Sequence, residues 1–323
     1  MLNKFKKKMS NKCPYCYQII DGEGDFHAKC STEFFGTATP PLIPYSIDQM
    51  DELAKDVVER SVAVPGVQPK LSMSVVKETR ENSDTRLTVV GALGGQYILK
   101  PPSSKYSGMP ENEHVTMRIA EAYGIRVVPS SLIRLASGEL SYITKRIDRT
   151  ASGTKVHMID MFQITEAFDK YISSMEKVGK ALHLYSNNTL LDKLFFFELS
   201  VFSFLTGNND MHLKNFSMIE NTLGWVLAPA YDLLNVTIVN PDDTEELALT
   251  LDGKKKKLKK EHFEKLAKGL GLTDKQIQRV FKRMINNKHK AMKWIDQSFL
   301  SDELKAAYKK IVNNRYAQLN LVE

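Results

Sequence analysis

Cysteine is scarce: three residues in 323, an odd number, all within the first thirty positions. That excludes the paired framework of a small secreted disulfide scaffold and suits a reducing compartment. Long apolar runs are missing too. The most apolar stretch, Leu190 to Leu205, falls short of the ~20 residues of a membrane span and carries Asp192, Lys193 and Glu198. The opening MLNKFKKKMSNKCPYC is basic, but no apolar stretch follows it, so it does not read as a secretory signal. There is no internal repeat and no long low-complexity segment. A soluble, cytoplasmic protein is expected, with no membrane partner.

What is present suits an ordinary globular chain. Hydrophobic residues make up 42% and aromatics 9%, which excludes disorder, and the length allows one large or two modest domains. The net charge of +7 comes largely from two runs, Lys4 to Lys8 and Lys254 to Lys260, which read first as solvated surface. Such a charge fits a handler of phosphates without requiring one.

A Pro-rich break, Gly36 to Pro44, sets the cysteine segment apart. Ile47 to Arg60 then reads as a helix with Ser46 as N-cap. Strands follow at Lys70 to Val76, Leu87 to Val90 and Gln96 to Lys100, the last two joined by the glycine turn Gly91 to Gly95. Glu111 to Tyr123 reads as a helix ended by Gly124, and further strands are expected at Val127 to Leu135 and Leu140 to Ile147. Beyond residue 150 the pattern is mainly helical. Thr189 and Asp192 are expected to cap an apolar helix ending at Gly207, Thr273 and Gln276 to form a capping box, and Ser301 to start the last helix. A hairpin, Phe216 to Ile219 with Trp225 to Leu227, interrupts them. The expectation is an α+β chain of two lobes with a cleft: a cysteine segment over 1–40, a β-rich lobe over 41–150 and a helical lobe over 151–323.

The densest polar cluster is Gly207-Asn-Asn-Asp-Met-His-Leu-Lys-Asn-Phe216, set between a buried helix and a strand. Asn and Asp in such loops often only bond their own backbone, so a plain turn is the alternative. Phosphoryl transfer needs a carboxylate to orient the attacking hydroxyl and an oxygen ligand shortly after it for magnesium. Asp210, followed five residues later by Asn215, has that spacing, and Asp232 beyond the hairpin can supply a second ligand. Lys100, at the end of an apolar strand, with Glu113 in the next helix, has the order of a phosphate-binding lysine and its partner, although a lysine so placed can equally snorkel.

In the leader, Cys13 and Cys16 followed by His27 and Cys30 have the spacing of a structural Cys₃His zinc site. Four protein ligands leave no open position for catalysis. Free thiols on a flexible leader are the alternative. Phe34 and Phe35, just after Cys30, are placed to dock the segment onto the rest of the chain.

Together these motifs resemble the HipA-like kinases. Pro65-Gly-Val-Gln-Pro-Lys-Leu71 resembles their phosphate-covering loop, Gly207 to Asn215 their catalytic loop, Tyr231-Asp232 their metal-binding element, and Leu247 to Lys255 a strand and turn after it. The likeness spans roughly residues 50 to 270, and the loops are specific in combination. It implies a bilobal fold distantly similar to phosphoinositide kinases, with ATP and Mg²⁺. By resemblance, Gly66, Val67 and Gln68 cover the phosphates, and Lys70 and Lys100 contact them. Asp210 is then catalytic, His212 supports its loop, and Asn215 and Asp232 hold magnesium. Ile143 to Arg149 resembles the adenine hinge, with backbone groups of Lys145 and Ile147 at the base and Asp148 near the ribose; Lys145 stands where an acidic residue is expected.

Two departures from the pattern matter. The family autophosphorylates a serine shortly before the loop glycine; Ala63 occupies that position here and Ser61 stands two residues earlier. Phosphate on Ser61 would still repel the loop from ATP, which makes it the autophosphorylation candidate. The chain also has little room before residue 50 for the N-terminal subdomain of the longer toxins. It resembles the shorter, HipT-like branch, in which a separate small protein can supply that part, and some short members begin with a similar cysteine segment.

The resemblance implies a serine/threonine protein kinase of toxin–antitoxin type. The characterised toxins phosphorylate aminoacyl-tRNA synthetases and are restrained by a DNA-binding antitoxin. The alternatives are a kinase for a small molecule or lipid, and a nucleotide-binding interaction module without catalysis. Direct nucleic-acid binding is not expected, because no helix-turn-helix or aromatic-interleaved basic face accompanies the knuckle and Lys254 to Lys260.

Overall fold

Ser46 caps a helical turn as expected, since Gln49 and Ser46 exchange side chain-to-backbone bonds. The turn belongs to a computed structural model that describes residues 11–50, 52–53, 70–77, 85–90 and 94–321. The rest of the expected helix, 54–60, lies outside the described residues, as do Ser61, Gly66, Val67 and Gln68. The chain forms two compact units, Met1–Pro101 with Pro129–Ile143, and Pro102–Val128 with Thr144–Glu323.

The first unit holds helix α1 (Ala28–Phe35) and strands β1 (Leu71–Lys77), β2 (Thr85–Val89), β3 (Tyr97–Lys100), β4 (Ser130–Arg134) and β5 (Leu140–Lys145), the last running into the second unit. They form one sheet in the order β2-β1-β3-β5-β4. Strand β1 is antiparallel to both neighbours, with Met73 opposite Val89 on one side and Tyr97 on the other. Its alternation buries Leu71 and Met73, and the period of two makes that face the core face. Gly95 is required: its φ is 80°, and a Cβ there would lie 2.8 Å from the Met73 carbonyl oxygen.

The second unit begins with helix α2 (Met109–Ala122), strand β6 (Met158–Asp160), and helices α3 (Met161–Ile164) and α4 (Met175–Tyr185). Helix α5 (Thr189–Leu205) is then followed by the hairpin β7 (Ser217–Asn221) and β8 (Gly224–Leu227), and by helices α6 (Val236–Val239), α7 (Lys260–Gly269), α8 (Asp274–Gln297) and α9 (Asp302–Gln318). Strands β6, β7 and β8 form an antiparallel three-stranded sheet. Nearly every side of α5 is apolar, so it is a core helix rather than a surface one. Four of its five phenylalanines each meet another aromatic: Phe196 with Phe216 at 5.3 Å, Phe197 with Phe281 at 5.9 Å, Phe202 with Tyr123 at 5.6 Å and Phe204 with Phe263 at 5.2 Å. Each buried ring contributes about 1.5–3 kcal/mol of apolar transfer, and the edge-on geometry adds to it. Among the described residues no helix is long and apolar enough to cross a membrane.

Three local expectations are corrected. Asn188, without a side-chain bond, holds the N-cap of α5, and Asp192 is turned to other donors instead of capping. Helix α2 starts earlier than Glu111, because Gly108 turns left-handed and Pro110 suits a first helical turn. Leu247 to Lys255 makes isolated bridges, Ser174–Thr250 and Leu251–Lys254, around the turn Asp252-Gly253, and no strand. The Thr273–Gln276 capping box and the Ser301 cap form as expected.

Candidate active site

Gly207 ends α5. Its φ is 71°, and a Cβ would come within 2.8 Å of both Asn235 Oδ1 and Ile311 Cγ2. Only glycine turns the chain there without displacing neighbours. The loop that follows is pinned by its own backbone and by outside groups. Thr237 donates from its backbone N–H and its hydroxyl to the Gly207 carbonyl, and Asn209 Nδ2 donates to the Glu245 carbonyl at 3.0 Å.

Asp210 is held on every backbone atom that can bond. Its N–H donates to Asn208 Oδ1 at 3.3 Å, and its carbonyl accepts from the His212 N–H at 2.8 Å and from Asn215 Nδ2 at 2.9 Å. Its carboxylate Oδ1 accepts the Tyr171 hydroxyl at 2.8 Å. Asn215 is buried, and since its Nδ2 is the atom that bonds Asp210, its Oδ1 is the atom with which it can ligate a cation. His212 is buried edge-on against the Tyr171 ring at 5.1 Å. Burial holds its imidazole below its ordinary range with help from the Lys170 charge, while Asp210 and Asp232 pull the other way. Both carboxylates therefore lie in electrostatic reach of His212.

Asp232 follows β8 and adopts a left-handed φ of 56°, unusual for a residue with a side chain. Its neighbours fix it. Ala230 bridges to Val127, and the Tyr231 hydroxyl donates to the Lys214 carbonyl at 2.9 Å while bonding Ser217 Oγ. Tyr231 thus ties the Asp232 segment to the residue beside Asn215. Asp210, His212, Asn215 and Asp232 are brought together in this unit. Tyr171 joins them from 39 positions away, and no local sequence signal marks it.

The remaining candidates are distributed over both units. Lys70 is exposed just before β1, and Lys100 is buried at the end of β3 with Nζ 5.3 Å from the centre of the Tyr142 ring. Glu113 is buried in α2 of the second unit. In the hinge-like segment, Lys145 and Ile147 are half-buried. Asp148 accepts two bonds from Arg146, at 2.9 and 2.7 Å, and one from Arg149 at 2.7 Å. Burial opposes its charge, but the Arg146 bonds and both guanidinium charges win and hold the carboxyl below its usual range.

In the first unit Cys13, Cys16, His27 and Cys30 offer ligand atoms that all lie within 4.8 Å of one another. His27 Nδ1 stands 3.4 Å from Cys16 Sγ and 3.8 Å from Cys30 Sγ. Ligands of a tetrahedral zinc with bonds of about 2.0–2.3 Å are separated by just such distances. The far nitrogen, Nε2, bonds the Ile19 carbonyl at 3.1 Å, which fixes the ring with Nδ1 facing the thiols. The residues fit zinc. Phe34 and Phe35 lie within 5.9 and 6.1 Å of Tyr97 on β3, so the segment packs on the sheet as its sequence led us to expect.

A family model described as the HipA-like C-terminal domain matches residues 62–292. Similar proteins include a Haemophilus influenzae protein named "Putative kinase", 25% identical over 87% of this chain and 88% of its own length. A Sinorhizobium fredii protein, "Putative kinase Y4dM", is 34% identical over 67% of this chain but only 55% of its own. Among solved structures, HipA of Shewanella oneidensis, in a toxin–antitoxin complex with HipB and operator DNA, superposes with a TM-score of 0.68 at 21% identity. That match covers 87% of this chain and 72% of the other, and it shows a common α+β kinase-like fold.

Proposed function

We propose, from the premise that this chain belongs to the HipA-like C-terminal domain family, that it is an ATP- and magnesium-dependent serine/threonine protein kinase of toxin type. The observation that carries the reading is the Asp210–Asn215 pair: a partly exposed carboxylate on a pinned backbone, whose carbonyl accepts from the buried Asn215 side chain at 2.9 Å. Asp210 would accept the proton of the acceptor hydroxyl as its oxygen bonds the γ-phosphorus. The bond to the β,γ-bridging oxygen breaks, and its electron pair leaves with ADP. Asn215 and Asp232 would hold magnesium, which neutralises phosphate charge when bound. Glycine and backbone at 66–68, with Lys70 and Lys100, would meet the phosphates, and Glu113 would steady a lysine. Lys145 and Ile147 would offer backbone groups to the base. Since both arginines already occupy the Asp148 carboxylate, its role near a ribose is to shape the hinge as much as to bond the sugar.

On this reading residues 1–40 form a zinc-stapled segment, 41–150 the nucleotide-holding lobe and 151–323 the catalytic lobe. The acceptor would be a protein of translation such as an aminoacyl-tRNA synthetase. An antitoxin, and a separate small protein resembling the N-terminal subdomain of the longer toxins, are the proposed partners. The relative solved with HipB and operator DNA supports an antitoxin partner.

Intact mass spectrometry before and after incubation with magnesium-ATP, beside Asp210→Asn, tests the reading. Phosphate on the wild type alone supports it, and fragment mapping then decides Ser61. Phosphate on neither, with no transfer to any translation protein, would sink it.

A further inference from the structure

We propose that Tyr171 is a positioning residue for Asp210, holding one carboxylate oxygen so that the other faces the acceptor hydroxyl. The proposal rests on the kinase reading and deepens it on the acceptor side.

The geometry is specific to one oxygen. Tyr171 Oη donates to Asp210 Oδ1 at 2.8 Å, and among the described residues no donor reaches Oδ2. A carboxylate whose backbone is fixed at N and O can still spin about its last torsion, and a single side-chain donor on Oδ1 stops that rotation. Tyr171 is itself held. Its N–H donates to Asp169 Oδ1 at 2.7 Å, and its ring lies at 80° to His212. The phenol stays protonated and a donor, because burial and the Asp210 charge both push its ionisation well above the ordinary tyrosine range. A mere plug would be loosely mounted and would cover both oxygens. Here the ring is clamped and one oxygen is left open.

The same contact explains why a tyrosine rather than a lysine serves. A cation at this distance would pair with Asp210 and draw the proton-accepting charge out of reach of the acceptor. A phenol orients the carboxylate while leaving its charge in place.

The test is Tyr171→Phe in the full chain, which removes only the hydroxyl. Phosphoryl transfer should fall about ten- to a hundred-fold in kcat, the loss of one hydrogen bond to a charged group. KM for ATP should stay within about twofold, since nothing on the nucleotide changes. In an Asp210→Asn background the same substitution should cause no further loss; additive losses would overturn the proposal. An unchanged or raised kcat in Tyr171→Phe would also overturn it, the latter identifying the hydroxyl as a plug.

A second arm does not depend on activity. With 3,5-difluorotyrosine at position 171, the phenol is titrated by absorbance, and its midpoint should fall when Asp210 becomes Asn. Equal midpoints would show that the bond is absent in solution. If the wild type transfers no phosphate while the midpoint does shift, the kinase reading fails and the contact stands as a bond without a catalytic role.

Discussion

Asp192 accepts the backbone N–H of Leu227 at 2.7 Å, across 35 positions of sequence, from a side chain that is fully buried. The same oxygen takes the Ser186 hydroxyl at 2.7 Å, and the Arg126 guanidinium stands 3.4 Å from its partner oxygen. One carboxylate thus joins the start of α5 to the end of β8, five residues before Asp232.

Replacing Asp192 by alanine would strand the Leu227 N–H and the Ser186 hydroxyl. A loss of about 2–4 kcal/mol is expected, readable in urea denaturation. Asp192→Asn keeps an acceptor and should lose about half as much. Equal losses in the two variants would show that volume, not bonding, is what the site needs.

Gly207→Ala should destabilise by about 1–3 kcal/mol, from the left-handed backbone and the 2.8 Å approach to Asn235 and Ile311. Amide exchange should report faster opening in residues 207–216 than elsewhere. Protection unchanged in that loop would contradict the role given to Gly207.

Zinc should be found at one ion per chain by elemental analysis of protein prepared without chelator. Removing it should lower the melting temperature, because Phe34 and Phe35 carry the segment into the core of the first unit. His27→Ala should behave like the stripped protein. A protein that holds no zinc at high affinity and melts alike with chelator would return the thiols to free cysteines.

Asp148→Asn is expected to cost about 1–2 kcal/mol near neutral pH, as two arginines lose their carboxylate. The sign with pH follows from a carboxyl held low in the folded state. Its contribution is full above about pH 4, the unfolded value, and is lost as pH falls through the lower folded value. Wild type and variant should therefore converge in stability as the solution is acidified below that point. A difference that stays constant would assign the loss to packing.

What the chain reveals before folding is mostly what near neighbours decide. The Thr273–Gln276 box and the Ser301 cap are settled within four residues, and the structure carries both of them. Asp192 looked like a cap for the same local reason, but a buried donor 35 positions away outbid the helix terminus. Tyr171 gave no sign at all, because its partner is set by how α3 and α4 deliver the loop between them. Of the strand and turn expected at Leu247 to Lys255, the turn at Asp252-Gly253 forms, with isolated bridges where the strand was expected. Asp210, Asn215 and Asp232 were legible as a spacing; their mutual fixing through Tyr231 and Lys214 was not.

The latches on α2 carry a kinetic consequence. Asn112 exchanges two hydrogen bonds with the backbone of Asn235, 123 positions away, while Thr116 meets Tyr308 across 192 and Tyr123 meets Tyr316 across 193. The strand pairs of the first sheet close over far shorter loops. Loop-closure entropy sets the order: local hairpins assemble early, and the body bearing Asp210 waits for the most distant closures. Refolding should accordingly show a slow phase that reports on α2 and α9, during which the chain already has a sheet but not yet a seat for its acidic loop.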